Sequence, residues 1–211
     1  MTRAAPERNR EHTAQRIVAA VGEVLARDGF GGIGINAIAR QAGVDKVLIY
    51  RYYGGLPQLL QAFGASGSFW PGVDEMLGPD PAAMRALPEG ERWGVFIGRF
   101  IDGLRARPLT LEILASEVND RNELAAILET ERERWGEQVG QLLGGPQFAR
   151  RAELLHLTLL VIAGVQYLLV RARRIQVFGG IDIRSDDGWA TLKASLSMLA
   201  RQLMDSPAAG R

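Results

Sequence analysis

A short segment near the amino terminus carries side chains that could read a DNA groove. Residues 46–53, KVLIYRYY, mix aliphatic side chains with a lysine, an arginine and three tyrosines. In a major groove, Lys and Arg contact guanine edges and phosphates, Tyr hydroxyls contact phosphate oxygens, and aliphatic groups pack against thymine methyls. A short helix facing water would carry Glu, Lys and Gln instead, so Val47 and Leu48 favour a groove.

The residues before this segment have the sizes needed for a sharp turn between two short helices. Ala39, Gly43 and Ile49 lie at offsets of four and ten residues. A small side chain lets the helices approach, the glycine takes a positive φ, and the aliphatic side chain fills the wedge between them. An ordinary helical hairpin shows such a triplet by chance, so the spacing alone leaves DNA binding open.

Glycines and one aspartate predict the elements that position these residues. The pattern predicts a first helix over residues 8–27, with Gly29 as a left-handed stop, and a second helix over residues 35–42. Gly43 then forms the turn, and Asp45 caps a third helix over residues 46–53. Beyond residue 88 the helices lengthen, and no strand pattern persists, so the fold class is predicted to be all-α.

Composition narrows the classes of function and of compartment. The chain of 211 residues has no cysteine, which excludes disulfide scaffolds and thiolate metal sites and suggests a reducing cytoplasm. Up to Leu60 there are eight basic and five acidic residues, while the rest of the chain has seventeen and nineteen. A basic first segment in a nearly neutral chain is a mild indication of a polyanionic partner such as DNA.

Residues 13–63 resemble the amino-terminal module of the TetR family of transcriptional regulators. The matching pieces are ARDGF at the end of the first helix, IARQAGV before the turn, and LIYRYYG followed by a fourth helix near Leu56. The resemblance implies a three-helix helix-turn-helix DNA-binding domain over residues 1–63 and a larger helical domain for ligand binding and dimerisation over residues 64–211.

The resemblance also implies DNA contacts. Lys46, Val47, Leu48 and Tyr50 would face the groove, and Ile49 and Tyr53 would be core. The full set of predicted DNA-binding residues is Asn36, Asp45, Lys46, Val47, Leu48, Tyr50, Arg51 and Tyr52, with Tyr52 as a phosphate contact.

Two positions depart from the family pattern. A hydroxyl residue often precedes the second helix, where this chain has Gly34, and a lysine usually opens the fourth helix, where it has Leu56. Both positions ordinarily help to hold phosphates, so each change implies weaker nonspecific binding to DNA. Each lost phosphate contact should also make the slope of log affinity against log salt shallower by about one. Arg16, Arg40 and Arg51 are the candidates to replace them.

Amphipathic helices in the second part of the chain predict a pocket for a small-molecule effector. Ligand sites between helices are mostly apolar with a few polar groups. The candidates are Trp93, Phe96, Phe100, Glu117, Asn119, Trp135, His156 and Gln166. An aromatic stripe at helical spacing is more often a plain core than a pocket, and a histidine in an aliphatic helix is more often a core residue than a metal ligand. No metal or cofactor is expected.

The last two predicted helices, residues 147–174 and 187–204, are the predicted interface of a homodimer. Residues 154–170 are almost continuously aliphatic, yet they fall short of the roughly 20 residues of a membrane span and contain His156, Thr158 and Gln166. A buried helix is therefore expected, and a four-helix bundle formed with a second copy would cover the excess aliphatic surface.

Together these features predict a repressor that binds a pseudo-palindromic operator as a dimer and is released by a small molecule. Two alternatives remain. A helical interaction protein that has lost DNA binding is consistent with Gly34 and Leu56, and a helical-bundle enzyme would use Glu117 or His156. The enzyme is the less favoured, since the sequence has no catalytic triad, phosphate loop or metal-spaced cluster.

Overall fold

The fold is all-α apart from one small hairpin, and the computed structural model describes residues 5–117, 123–144 and 152–204. The elements in chain order are α1 (Ala5–Gly32), α2 (Ile35–Ala42), α3 (Lys46–Tyr53), α4 (Leu56–Gly64), α5 (Val73–Leu77), α6 (Pro81–Ala86), α7 (Glu89–Arg105), α8 (Pro108–Glu117), α9 (Glu123–Leu143), α10 (Ala152–Ala172), β1 (Val177–Phe178), β2 (Ile181–Asp182) and α11 (Asp186–Met204). The predicted second and third helices are confirmed at both ends. Residues 118–122 and 147–151, where the sequence predicted helix boundaries, lie outside the described residues.

The chain divides into two compact units that are each discontinuous in sequence. Residues 1–70 group with residues 107–134, and residues 71–106 group with residues 135–211. The boundary predicted after residue 63 divides the chain by function, into a DNA-binding part and a part for ligand binding and dimerisation. That functional division stays a prediction.

The first unit has a core of aliphatic residues on one face of α1. Ile17, Val21, Val24 and Leu25 are all buried, as their spacing of three and four residues requires. Gly22 allows α4 to approach this helix, because a Cβ there would lie 3.0 Å from the ring of Phe63. The core therefore joins α1 directly to α4.

Gly29 marks a kink rather than the end of the first helix. Its φ of 64° is positive as predicted, but its ψ of −171° is not left-handed helical, and helical turns continue to Gly32. Only glycine adopts this combination readily, because a Cβ would clash with the backbone.

The second unit is built on a close packing of α7 against α11. At Gly94 an added Cβ would lie 2.8 Å from Oγ and 3.1 Å from Cα of Ser197, so only glycine allows this distance between the two helices. The aromatic side chains predicted on α7 are buried within the unit, where Phe96 and Phe100 lie 6.2 and 5.7 Å from the ring of Trp135.

A two-stranded hairpin between α10 and α11 was not predicted. Val177 pairs with Asp182 and Phe178 with Ile181, and the turn residues Gly179 and Gly180 both have positive φ. Two adjacent glycines are a known signal for this turn, but strands of two residues are too short to show an alternating pattern.

The single chain by itself does not bury the helix over residues 154–170, and its burial by a second copy stays a prediction. Within α10 only Leu154, Val165 and Leu169 are buried, and five large apolar side chains are exposed. By length and composition this helix is also apolar enough to cross a membrane, and its own chain buries little of it. The exposed side chains are Leu155, Leu157, Leu159, Leu160 and Tyr167 on α10, with Met198 and Leu199 on α11.

Candidate nucleic-acid interface

The turn between α2 and α3 has the geometry that its sequence predicted. Gly43 is left-handed, with φ 63° and ψ 41°, and the N–H of Val44 donates to the carbonyl oxygen of Ala39 at 3.0 Å. Ala39 is buried where the helices cross, and Ile49 is fully buried in the wedge. The three steric roles assigned from the spacing are confirmed.

Arg16 on α1 supports the turn from the other side. Its Nη2 donates to the carbonyl oxygens of Ala42 and Gly43. Carbonyls at the end of a helix have no donor within the helix, and Arg16 supplies one here. Its guanidinium is therefore engaged inside the module, which weakens its candidacy as a replacement phosphate contact.

The side chains of α3 divide into one that points inward and several that are exposed. Ile49 is 0% exposed, whereas Val47 is 63% and Tyr50 is 54% exposed. Lys46 and Arg51 are also exposed, and Leu48 is half-buried. Together with Lys46 and Arg51, the exposed Val47 and Tyr50 give this helix of eight residues a surface of mixed apolar and cationic character.

Asp45 is the amino-terminal cap of α3. Its Oδ1 accepts a 2.8 Å hydrogen bond from the backbone N–H of Val47, which satisfies one of the free donors at the helix start. The contact explains the aspartate structurally, and its predicted contact with DNA stays a prediction.

Tyr53 anchors the end of α3 to α1. Its hydroxyl donates to the carbonyl oxygen of Ala14 at 3.0 Å, and burial together with the neighbouring Tyr52 raises the pKa of the Tyr53 phenol. The side chain is half-buried rather than fully core, because its hydroxyl must reach this acceptor.

The two positions that depart from the family pattern provide no side-chain hydrogen bond to a helix start. Gly34 precedes α2 with an extended backbone, and Leu56 opens α4 after Gly55, neither of which caps through a side chain. Asn36, also predicted to reach DNA, is exposed on the first turn of α2.

The predicted ligand-pocket residues do not all come together. Trp93, Phe96, Phe100 and Trp135 form one aromatic cluster in the second unit, with Trp93 at 5.3 Å from Phe96. On α10, Gln166 is half-buried and His156 is exposed. The cluster has the packing of a core, and its role as a pocket stays a prediction. Asn119 lies outside the described residues.

Glu117 belongs to the first unit, where it forms a closed ion pair. Arg132 donates from Nη1 to Oε1 at 2.9 Å and from Nη2 to Oε2 at 2.8 Å. The same guanidinium lies 5.9 and 5.7 Å from the rings of Phe69 and Trp70. Burial raises the pKa of the Glu117 carboxyl, although Arg132 opposes the shift.

Two clefts were not predicted from sequence. In the first unit a polar cleft of about 260 Å³ lies between α4 and α9. It is lined by Pro57, Gln58, Gln61, Ile127, Thr130, Glu131 and Arg134. In the second unit an apolar cleft between α7, α10 and α11 has a volume of only about 30 Å³, which is room for about one water molecule.

Comparison with known proteins gives results that agree with this geometry. Residues 17–63 match the model of the bacterial regulatory proteins of the tetR family. Over 204 residues the chain is 29% identical to the HTH-type transcriptional repressor SCO4008 of Streptomyces coelicolor, covering 94% of this chain and 98% of that protein.

Two solved structures share the fold. A TetR-like transcriptional regulator from Rhodococcus sp. RHA1 superimposes with a TM-score of 0.60 at 20% identity, covering 98% of this chain and 100% of that one. The regulator FadR from Bacillus subtilis, solved in complex with stearoyl-CoA, superimposes with a TM-score of 0.59 at 17% identity, covering 88% of this chain and 96% of that one.

Proposed function

Because the chain belongs to the TetR family of bacterial transcriptional regulators, we propose that it is a repressor that binds a pseudo-palindromic operator as a dimer and leaves it when a small molecule binds. The protein acts in the cytoplasm, where its target DNA lies. It is a regulator rather than an enzyme and requires no cofactor.

The observation that carries the proposal is the exposed face of α3. Val47 and Tyr50 are exposed beside Lys46, on a helix whose start is capped and whose inner residue Ile49 is fully buried. The helix is thus held rigidly while its apolar and cationic side chains remain available. Such a face matches a major groove, in which Lys binds guanine or phosphate and Val packs on a thymine methyl.

Dimerisation is proposed through α10 and α11. Leu159 and Leu160 on α10 and Met198 on α11 are large apolar side chains that the single chain leaves more than half exposed, and exposed apolar patches mark contact surfaces. A two-fold dimer covers the same surface on both copies and presents two recognition helices to half-sites about one helical turn apart.

A lipid bilayer is the competing environment for α10. Leu154, Val165 and Leu169 already pack within the second unit, so one face of the helix is occupied by protein. Gln166 and His156 would also have to enter the hydrocarbon. A second copy of the chain covers only the remaining apolar face, and the protein then stays in solution without detergent.

Release is proposed to follow from a population shift. The dimer would have two conformations that differ in the distance between their recognition helices. A small molecule that binds more tightly to the conformation that does not match the operator lowers the affinity for the operator. The acyl-CoA bound by the Bacillus subtilis neighbour shows that a protein of this fold accommodates a large amphipathic ligand.

The proposal is tested by selecting bound duplexes from a random-sequence DNA library with the purified chain. We expect an enriched sequence with two-fold symmetry. Binding of that duplex should collapse for Lys46→Ala and Tyr50→Ala and remain unchanged for Gln138→Ala, an exposed position on α9. Failure to enrich any sequence, or equal binding by all three variants, would leave the interaction protein as the better interpretation.

A further inference from the structure

The guanidinium of Arg10 lies over the ring of Tyr52, with its Cζ 5.5 Å from the ring centroid. Arg10 is on α1 and is exposed, whereas Tyr52 is half-buried near the end of α3. A cation at this distance from a tyrosine face is attracted by the negative charge density of the ring. The contact brings a positive charge of α1 beside the phenol for which the family resemblance implies a phosphate contact.

The position of Arg10 relative to α3 is fixed by neighbouring contacts. Ala14, one turn further along the same face of α1, accepts the hydrogen bond from the Tyr53 hydroxyl. Tyr53 in turn lies edge-on to Tyr52, with ring centroids 6.5 Å apart. Arg10 therefore sits on a turn of α1 that is tied to the end of the recognition helix.

Two other arginines of the same module have partners that hold them within the protein. Arg16 donates to the carbonyl oxygens at the end of α2. Arg27 forms a fork with the carboxylate of Asp28, at 2.9 and 2.8 Å, and a further bond to Gln41. Among the side chains described in the structure, none provides a carboxylate within ion-pair distance of Arg10.

We propose that Arg10 is a DNA-backbone contact contributed by α1, which binds a phosphate beside the one taken by Tyr52 and uses the Tyr52 ring to hold its guanidinium in place. This inference rests on the proposed DNA binding and adds a residue that the sequence analysis did not identify. It supplies a cation to a module that has Gly34 and Leu56 where phosphate-holding side chains are usual.

The stacked geometry suits such a role. A guanidinium has five N–H donors in its plane, so the π-face can rest on tyrosine while the donors at the edge remain free for phosphate oxygens. Lysine keeps the charge but lacks the planar group. We therefore expect the charge of Arg10 to determine the salt dependence of binding and its shape to determine how well the contact is oriented.

The test measures operator affinity against salt concentration for the full chain and for Arg10→Gln, Arg10→Lys and Arg85→Gln. Arg85 is exposed on α6 of the second unit, so its substitution makes the same change in net charge outside the unit that contains the recognition helix. For Arg10→Gln we expect the slope of log affinity against log salt to become shallower by about one per protomer. Lowering salt from about 200 to about 50 mM should then strengthen wild-type binding roughly tenfold more than it strengthens binding by this variant.

Arg10→Lys should keep the wild-type slope with weaker affinity, and Arg85→Gln should match wild type in both. Equal slopes for Arg10→Gln and wild type would overturn the assignment. A lowered melting temperature with an unchanged slope would also overturn it, since Arg10 would then only support the fold. If the wild-type chain itself selects no duplex, the proposed function fails, which is a different result from a variant that binds with an unaltered slope.

Discussion

Asp45 and Val47 are joined by a 2.8 Å hydrogen bond from the backbone N–H of Val47 to the Asp45 carboxylate. The bond caps the start of the recognition helix, which begins at Lys46, one residue before the exposed Val47. It also places a negative charge beside the surface that the proposal assigns to DNA.

Substitutions at Asp45 separate these two effects. Asp45→Ala should lower the free energy of unfolding by about 1 kcal/mol, the usual cost of losing a cap. Asp45→Asn keeps a side-chain acceptor for the cap and removes the charge, so stability should change little while operator binding tightens at low salt. Denaturant titration and a binding isotherm measure the two quantities. Weaker binding by the asparagine variant at unchanged stability would mean that the carboxylate itself contacts DNA.

Gly43 is the residue on which the angle between α2 and α3 depends. Gly43→Ala places a side chain at φ 63°, with its Cβ 3.1 Å from Nη2 of Arg16. We expect a loss of about 1 to 2 kcal/mol in unfolding free energy from the left-handed backbone, together with weaker DNA binding. Gly31→Ala is the control, because a Cβ there meets no atom within 4 Å. Equal stability of the two variants would show that the turn tolerates another geometry.

Gly94 tests the packing of α7 against α11. Gly94→Val must push apart two helices that are in contact at Ser197, and overpacking of this kind costs about 1 to 3 kcal/mol. Gly136→Ala on α9 has open space around its Cβ and should be neutral or slightly stabilising. Thermal unfolding followed by circular dichroism compares them. A wild-type melting temperature for Gly94→Val would contradict the close approach.

Leu160 is 69% exposed and tests the dimer interface. Leu160→Glu would place a charge inside the proposed four-helix bundle, so the variant should sediment as a monomer and bind the operator more weakly. Gln138→Glu adds the same charge on α9 and should remain dimeric. A wild-type protein that sediments as a monomer, or one that requires detergent to stay in solution, would contradict the proposed role of α10.

The ion pair of Glu117 and Arg132 predicts a dependence of stability on pH. Burial raises the folded-state pKa of Glu117 above its ordinary value. The folded state therefore binds this proton more tightly than the unfolded state, and the contribution to stability falls as pH rises from the ordinary to the raised pKa. Glu117→Gln lacks this titration, so the difference in unfolding free energy between wild type and variant should change across that window. A difference that is constant with pH would contradict the raised pKa.

The sequence predicted the helix-turn-helix well because its determinants are local. Gly43 and Asp45 act on the backbone within a few residues of themselves, and the burial of Ile49 follows from the periodicity of one short helix. The bounds of α2 and α3 were accordingly predicted to the residue.

Features that depend on distant contacts were not predictable in this way. The grouping of residues 107–134 with the amino-terminal part depends on long-range packing, and so does the engagement of Arg16 with the end of α2. The pattern of α10 could not show how much of the helix its own chain buries, because an aliphatic helix has the same pattern whether its own chain or a second copy covers it. The position of Arg10 over Tyr52 joins two residues that are 42 positions apart in sequence and leaves no local signal.

The most direct test of the central claim is protection of guanine N7 in the selected duplex against methylation by dimethyl sulfate, since N7 lies in the major groove. If α3 occupies the groove, guanines in both half-sites should be protected by the wild-type chain and should react as in free DNA with Lys46→Ala, whose binding should collapse. Guanines that react in the complex as they do in free DNA, or a protection pattern that Lys46→Ala leaves unchanged, would contradict the account.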